Sequence, residues 1–522
     1  MYRESDAGKM QYCSLVLCVM FNNTLTEENL SPKDKKIGAI IEDLLEECEL
    51  NKGTSIKRLK KSLETLEGTY VVKEDNTYKI IHDKLFDFLA KYFGEKMIQI
   101  FIDHANTDFI RERFLWKITD NMGTEIEFVI RIPDTYIARY IERLVKDWEN
   151  GNVNNVFVNR NMKSTLFTEN LVTHLNQLDL SKQQDLVCTK DIHYKDIALS
   201  GSCYMGSIEL VKWLISRNSD VNYCRENGWF PLLWASQEGH VDVVKELLQH
   251  SADVNKCRND GTPPLQIACY NNRIEVVRVL LQCDDVNIDL CDDDGCSSLY
   301  IASQDGHVDV VKELLQHSAD VNKCNNNDVS PLSIASQNGH VDVVKELLQH
   351  SADVNKCNNN DVSPLSIASQ NGHVDVVKEL LQHSADVNKC NNNDLSPLSK
   401  ASYNGHVDVV RMHHLSDVNK CINDGTPPLQ IACYNNRIEV VRVLLQCDDV
   451  DIDLCADDGC SSLYMASQNG HVDVVKELLQ HSADVNKCNN NCITSDIASQ
   501  NGHVNVVKEL LNIQLMSISV TI

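Results

Sequence analysis

Nine cysteines, Cys224, Cys257, Cys291, Cys324, Cys357, Cys390, Cys421, Cys455 and Cys488, recur at intervals of 31–34 residues. Seven histidines, His240, His307, His340, His373, His406, His471 and His503, keep step with them. Thiolate and imidazole are zinc ligands, with zinc–sulfur bonds of about 2.3 Å. Positions that recur once per packed helical unit lie roughly 10 Å apart, about a helix diameter. Neighbours therefore cannot share an ion, and both sets are expected to be structural. Asp292-Asp293-Asp294-Gly295 opens like a calcium loop but lacks the closing Glu. His413-His414 is an adjacent pair without an acidic or thiol partner at ligand spacing. Ala7-Gly8-Lys9-Met10 is the nearest approach to a phosphate-cradling loop, but it lacks the first Gly and the hydroxyl that would hold magnesium. Ser, His, Asp and Cys are imposed by the period, so chance triads among them carry no weight. No catalytic residue, no metal and no cofactor are expected.

The elements that position these residues follow from the repeat. Asn-Asn-Asn-Asp-Val-Ser-Pro-Leu-Ser-Ile-Ala-Ser-Gln-Asn-Gly-His begins the unit at residues 325–357, and residues 358–390 repeat that unit unchanged. Pro331 suits a first helical position, where its missing N–H costs nothing, and Ser330 suits the cap before it. Gly339 suits the end of that helix. Val341, Val344, Leu347 and Leu348 make one apolar stripe of a second helix. Residues 351–361 then read as a hairpin. Such a unit cannot bury its own stripe, and stacking on its neighbours completes the interior.

The strings SPLSIA and NGHVDVVKELL resemble the ankyrin repeat and its TPLHxA signature, over residues 195–511 in about nine or ten copies. Ser333, Ser366 and Ser399 replace the family's His. The hairpin glycine is kept at Gly228, Gly261, Gly295, Gly425 and Gly459 and becomes Asp328, Asp361 and Asp394 in the middle copies. The resemblance implies partner contacts from the two residues before the inter-helix Gly and from the hairpins. Mapped here, these are Gln237, Glu238, Tyr270, Asn271, Gln304, Asp305, Gln337, Asn338, Gln370, Asn371, Tyr403, Asn404, Tyr434, Asn435, Gln468 and Asn469. The hairpins add Asn326, Asn327, Asn359 and Asn360. Two copies are identical even at these positions, so the middle of the array reads alternatively as a spacer, with contact zones marked by Tyr270, Tyr403 and Tyr434. Asn255, Asn322, Asn355, Asn388 and Asn486 resemble the ankyrin asparagine that intracellular hydroxylases modify. Blocks 258–324 and 422–488 are near copies displaced by 164 residues, so the array grew by block duplication. Around Met412-His413-His414 two residues and a Leu pair are lost, which predicts a soft joint. Asp496 falls near a core Leu position of the last copy.

Ahead of the repeats, residues 12–21 read as a buried helix, too short for the roughly twenty residues of a membrane span. Residues 37–45 and 56–66 read as amphipathic helices, 70–72 and 78–81 as a hairpin, and 85–92 as a further helix. LETLEGTYVVKEDNTYKIIHDKLFDFLAKYFG resembles the winged-helix region that follows the nucleotide-binding domain of animal STAND-type signalling NTPases. We expect a mainly α chain with five parts. Residues 1–30 form the truncated end of a helical module, 31–115 a winged-helix-like domain with a small β-hairpin, and 116–194 a helical connection. An ankyrin α-solenoid over 195–511 and a tail over 512–522 complete the chain. Residues 124–133 alternate like a strand, and 150–161 read as an Asn-rich loop.

A formal charge of −26 and a pI near 5.1 disfavour nucleic acid and anionic lipid as partners. Lys57, Arg58, Lys60 and Lys61 are offset by Glu42, Asp43, Glu46, Glu47 and Glu49. Twenty-one cysteines in a long repeat chain predict reduced thiols and a cytoplasmic location. The expected function is non-enzymatic: a scaffold or adaptor that binds a protein partner, without a small-molecule substrate and without membrane insertion. The alternative is a regulatory or sensor fragment of a STAND-type NTPase that lacks the P-loop domain.

Overall fold

The structure is a computed structural model that describes residues 5–30, 35–51, 56–117, 128–413, 416–487 and 493–520. Its chain forms two compact units, Met1–Val254 and Asn255–Ile522.

The first unit opens with α1 (Asp6–Met20), whose N-terminus is capped by the Ser5 hydroxyl accepting from the Gly8 N–H. β1 (Leu25–Thr26), α2 (Lys35–Glu47) and α3 (Ile56–Leu66) follow, then β2 (Val71–Glu74), β3 (Thr77–Ile80) and α4 (Asp83–Lys96). The hairpin turns through Asp75 and Asn76, both at positive φ (44° and 68°). Two such residues give the mirror-image turn that matches strand twist. β3 pairs with both β2 and β1, an antiparallel three-stranded sheet of order β1-β3-β2. The sequence shows the hairpin but not β1, because two residues carry no alternation. α1 packs on α3 and α4, and Glu27 receives Lys60 at 2.9 Å and Lys73 at 2.7 Å, tying the segment after β1 to α3 and β2. Lys73 and Lys60 hold the Glu27 carboxyl down to about 2.

Next come α5 (Ile98–His104), α6 (Thr107–Arg113), β4 (Phe114–Leu115), β5 (Ile130–Arg131), α7 (Ile137–Glu149), α8 (Val153–Phe157), α9 (Thr165–Leu175) and α10 (Leu180–Cys188). β4 and β5 are parallel. Most of the strand expected over 124–133 lies outside the described residues. The Asn-rich stretch is not the loop expected. It forms α8 and a 3-10 turn over Arg160–Lys163, and Asn159 and Asn161 are buried. Asn159 Nδ2 donates to Tyr140 Oη at 2.9 Å, Asn161 Nδ2 to the Phe114 carbonyl at 2.9 Å, and the Trp116 N–H to Asn161 Oδ1 at 2.9 Å. Asparagine carries both donors and an acceptor, so it can satisfy buried backbone that would otherwise be orphaned.

Repeats supply the remainder. Helix pairs Ala198–Met205/Ile208–Ser216 and Pro231–Glu238/Val241–Gln249 belong to the first unit, and eight pairs from Pro264–Tyr270 to Val504–Val520 belong to the second. In the clearest unit Ser330 caps the first helix by accepting from the Ser333 N–H, Pro331 occupies its first turn, and Gly339 ends it at φ 77°. The second-helix core is Val343, Val344, Leu347 and Leu348. Val341, expected in that stripe, is half-buried and Val343 takes its place, because this helix packs on both its own partner and the neighbouring second helices. Asp328, Asp361 and Asp394 adopt the positive φ (56°, 53°, 53°) that glycine takes in the other hairpins. Asp496 is exposed, not at a core position. No helix among the described residues is long and apolar enough to cross a membrane.

Candidate protein-binding face

Within the second unit several repeats are stapled to the one before by residues that first suggested chemistry. His340, His373 and His406 place Nε2 2.9 Å from the carbonyls of Gln304, Gln337 and Gln370. Asn338, Asn371 and Asn404 donate Nδ2 to the same three carbonyls at 2.8, 2.8 and 3.0 Å. A carbonyl has two lone pairs, and here both are used. Asn469 bonds the Tyr434 carbonyl, whereas Asn271 and Asn435 bond carbonyls of their own helices, those of Ile267 and Ile431. The amide N–H groups expected to meet a partner are thus engaged in stacking at Asn338, Asn371, Asn404 and Asn469 and within the helix at Asn271 and Asn435. Gln237 bonds Glu238 at 2.9 Å. Gln337 is exposed, while Gln304, Asp305, Gln370 and Gln468 are half-buried.

The hairpins form a second ladder. Asn326 Nδ2 donates to the Asp293 carbonyl at 2.8 Å, and Asn359 N–H to the Asn327 carbonyl at 3.2 Å; Asn327, Asn359 and Asn360 are exposed. Asn255, Asn322, Asn355 and Asn388 accept through Oδ1 from N–H groups of Asn287, Asp353, Asp386 and Asp417 in the following repeats, at 2.8–2.9 Å. Asn486 donates its N–H to Asp484 at 2.9 Å.

The cysteine column turns inward on its own backbone. Cys324, Cys357 and Cys390 place Sγ 3.4 Å from the carbonyl two residues earlier, and burial pushes these thiols up. Asp292 accepts through Oδ1 from the N–H groups of Asp294 and Cys296, closing a turn and not a cation loop. Ala7-Gly8-Lys9-Met10 lies within α1, where Lys9 pairs with Glu49 at 2.8 Å. Among the described residues no group of three or more His, Cys, Asp or Glu is placed to hold a metal ion. His413 is buried, with Nε2 3.0 Å from Ser369 Oγ and Nδ1 3.0 Å from Ser416 Oγ, and the helix that carries it stops at Met412. A hydrogen-bonded imidazole thus fills interior space where the other copies carry leucine. His414 lies outside the described residues.

Three tyrosines stand out from this amide-rich face: Tyr270, Tyr403 and Tyr434 are 56%, 55% and 51% exposed. Tyr403 and Tyr434 come together around a cleft of about 690 Å³ that also includes Leu395, Lys400, Ile422 and Gln430. Sequence reasoning missed Lys400. The signal was available, since its column in the second unit otherwise reads Ile267, Ile301, Ile334, Ile367, Ile431, Met465 and Ile497. Lys400 is only 7% exposed, and burial lowers its ammonium to about 8. Also missed was an aromatic cluster in the first unit, where Trp229 stacks on Trp234 at 3.8 Å and Tyr204 meets Trp234 edge-on.

The buried ammonium makes a testable stability statement. A lysine whose folded pKa falls below its unfolded value destabilises the fold fully below the folded pKa, and the penalty fades as pH rises through the window between the two. Lys400→Ile is therefore expected to stabilise the second unit by about 1–3 kcal/mol at neutral pH, with the gain shrinking above pH ~8. Urea unfolding at several pH values, followed by circular dichroism, checks this; a gain that does not shrink as pH rises would assign the effect to packing alone.

Stacked pairs of short helices joined by hairpins define a repeat protein of the binding type. A family model described as ankyrin repeats (three copies) matches residues 199–290, 284–358, 351–412, 365–456, 412–489 and 449–520, which together span more than half of the chain. The protein belongs to the ankyrin-repeat family. No match is found among curated proteins.

Proposed function

We propose that this protein is a non-enzymatic adaptor whose repeats dock a partner protein on the face formed by the first helices and hairpin tips. The observation that carries this reading is the set of exposed tyrosines at Tyr270, Tyr403 and Tyr434 on a face where many of the amide donors are spent on stacking. Tyrosine adds large contact area with little entropy to lose, and it is enriched among the residues that dominate binding. Within the second unit Gln304, Asp305, Gln337, Gln370, Gln468 and the hairpin asparagines would supply the polar surround, and Gln237 and Glu238 would serve the repeats of the first unit in the same way. Tyr270→Ala combined with Tyr434→Ala is expected to weaken partner capture by about thirtyfold or more, the equivalent of ~2 kcal/mol. Quantitative pull-down of wild type against the double variant tests this; unchanged partner lists would refute the choice of surface.

A second reading is favoured by one observation: the order helix, strand, two helices, hairpin in residues 6–80, closed by a sheet of order β1-β3-β2. That order supports a winged helix beginning at α1, of the kind that accompanies STAND-type NTPases, and the chain would then act as the sensing part of such a protein. A P-loop encoded in frame upstream of residue 1 would support it. Hydroxylation of Asn255, Asn322, Asn355, Asn388 or Asn486 is compatible with either role. Peptide mass analysis of protein from cells should then find one added oxygen; unmodified asparagine throughout would exclude it.

A further inference from the structure

The two near-identical blocks differ where the cleft lies. In the first block Arg258 Nε bonds Asp260 at 2.9 Å, and Asp292 Oδ2 receives Gln266 Nε2 at 2.6 Å. In the second block Ile422 stands at the Arg258 position and Ala456 at the Asp292 position. Both replacements line the cleft. They remove a guanidinium and a carboxylate together, and leave an apolar wall with the side chain of Gln430 behind it. Gln430 is 1% exposed, and its Oε1 has no hydrogen-bond partner among the described residues, as is also true of Gln266 in the first block. Into the same cleft the preceding repeat sends Lys400 in place of the isoleucine of its siblings. The structure gives its ammonium neither an ion pair nor a hydrogen bond among the described residues. A cation carried on a largely buried side chain, with no protein partner among the described residues, marks a site whose polar complement comes from outside.

We propose that this cleft seats a segment of the partner protein through a carboxylate side chain at Lys400, with a basic residue of the same segment at Asp424, Asp457 and Asp458 on the hairpin side. The inference rests on the adaptor reading above and names the chemistry of the docked segment. A cleft of about 690 Å³ has room for a few side chains. Tyr403 and Tyr434 flank it and Met465 adds to its apolar lining, so the aliphatic part of a glutamate would be held against apolar surface while its carboxylate meets the ammonium. The three aspartates lie among the lining residues, on the two hairpin segments 422–426 and 456–460, whereas Lys400 comes from the first helix of the preceding repeat. The cleft thus carries both signs of charge on different elements, and a segment bearing both signs complements them where a purely acidic one would be repelled by the hairpin side.

The test uses the full chain and fluorescein-labelled, carboxy-amidated nonapeptide pools carrying one fixed Lys and one fixed Glu at randomised separation, against pools with Gln in place of Glu. Fluorescence polarisation should show the Glu pools binding wild type about ten- to a hundredfold tighter than the Gln pools, the range of a charge-assisted hydrogen bond in a dry site. Lys400→Ile should abolish that preference. Because the variant restores the residue of Ile334 and Ile367, lost folding is not the cause, and circular dichroism verifies it. Equal binding of the two pools, no binding of either, or a preference that survives Lys400→Ile would overturn the proposal. Displacement by free glutarate as effective as by the Glu pools would assign the cleft to small organic acids instead. The wider adaptor reading fails separately: Tyr270 lies outside the cleft, and a Tyr270→Ala variant that keeps all its partners would count against the tyrosine face while leaving a Glu preference intact.

Discussion

Replacing Arg143 with alanine is expected to cost the first unit about 3–5 kcal/mol, the usual penalty for breaking a buried, hydrogen-bonded charge pair. Arg143 Nε lies 2.9 Å from Asp147 Oδ2, and both side chains are largely withdrawn from water. The guanidinium also donates through Nη1 to the Ile102 carbonyl at 2.7 Å and through Nη2 to the Ala105 carbonyl at 2.8 Å. Those carbonyls end α5, where the last turn of a helix has no partners of its own. One planar fork therefore closes α5 and pins it to α7. Lysine keeps the charge but cannot make three directed bonds, so Arg143→Lys should recover only part of the loss. Arg139, whose pair with Asp103 is solvent-exposed, serves as the control: Arg139→Ala should cost no more than ~1 kcal/mol. All five tryptophans precede residue 255, so urea unfolding followed by tryptophan emission reports on this unit. A loss below ~1 kcal/mol for Arg143→Ala would show that the pair is dispensable.

Gly339→Ala should destabilise the second unit by about 2–4 kcal/mol, the sum of a backbone cost and a lost contact. Its φ of 77° costs a non-glycine residue ~1–3 kcal/mol. A Cβ there would also lie 2.7 Å from Nδ1 of His373, and that ring is held in place by its bond to the Gln337 carbonyl. The imidazole must move, giving up a hydrogen bond worth ~1 kcal/mol. Gly502 separates the two causes, because it has the same backbone (φ 75°) and a Cβ added there would meet nothing within 4 Å. Gly502→Ala should show the backbone cost alone. Unfolding followed by circular dichroism measures both variants; equal losses would mean that the glycine–histidine contact contributes nothing to stacking.

Much of this architecture was legible in the residues. A thirty-three-residue period with Pro at a first turn, Gly at a helix end and a stripe of Val and Leu leaves one arrangement that hides the apolar face. The hairpin before residue 81 could be read from Tyr, Val and Ile on either side of Asp75-Asn76. What could not be read was pairing at a distance. β1 is two residues long and exists only because β3 offers it an edge. The Asn-rich stretch looked solvent-exposed because asparagine favours turns, yet Tyr140, Phe114 and Trp116 give its amides partners in the interior.

The same division runs through the binding face. Periodicity alone gave the expectation that the cysteine and histidine columns are structural, since neighbours spaced by a helix diameter cannot share an ion, and it determined which residues precede each inter-helix glycine. Only the tertiary structure decided which of those residues remain free, because a side chain such as Asn338 is spent or available according to whether a carbonyl from the neighbouring repeat comes within 2.8 Å. It also decided that Lys400, Gln430, Ile422 and Ala456, up to 56 residues apart in the chain, meet around one cleft. Local propensity acts along the chain, whereas a cleft is made by what adjacent repeats fail to fill.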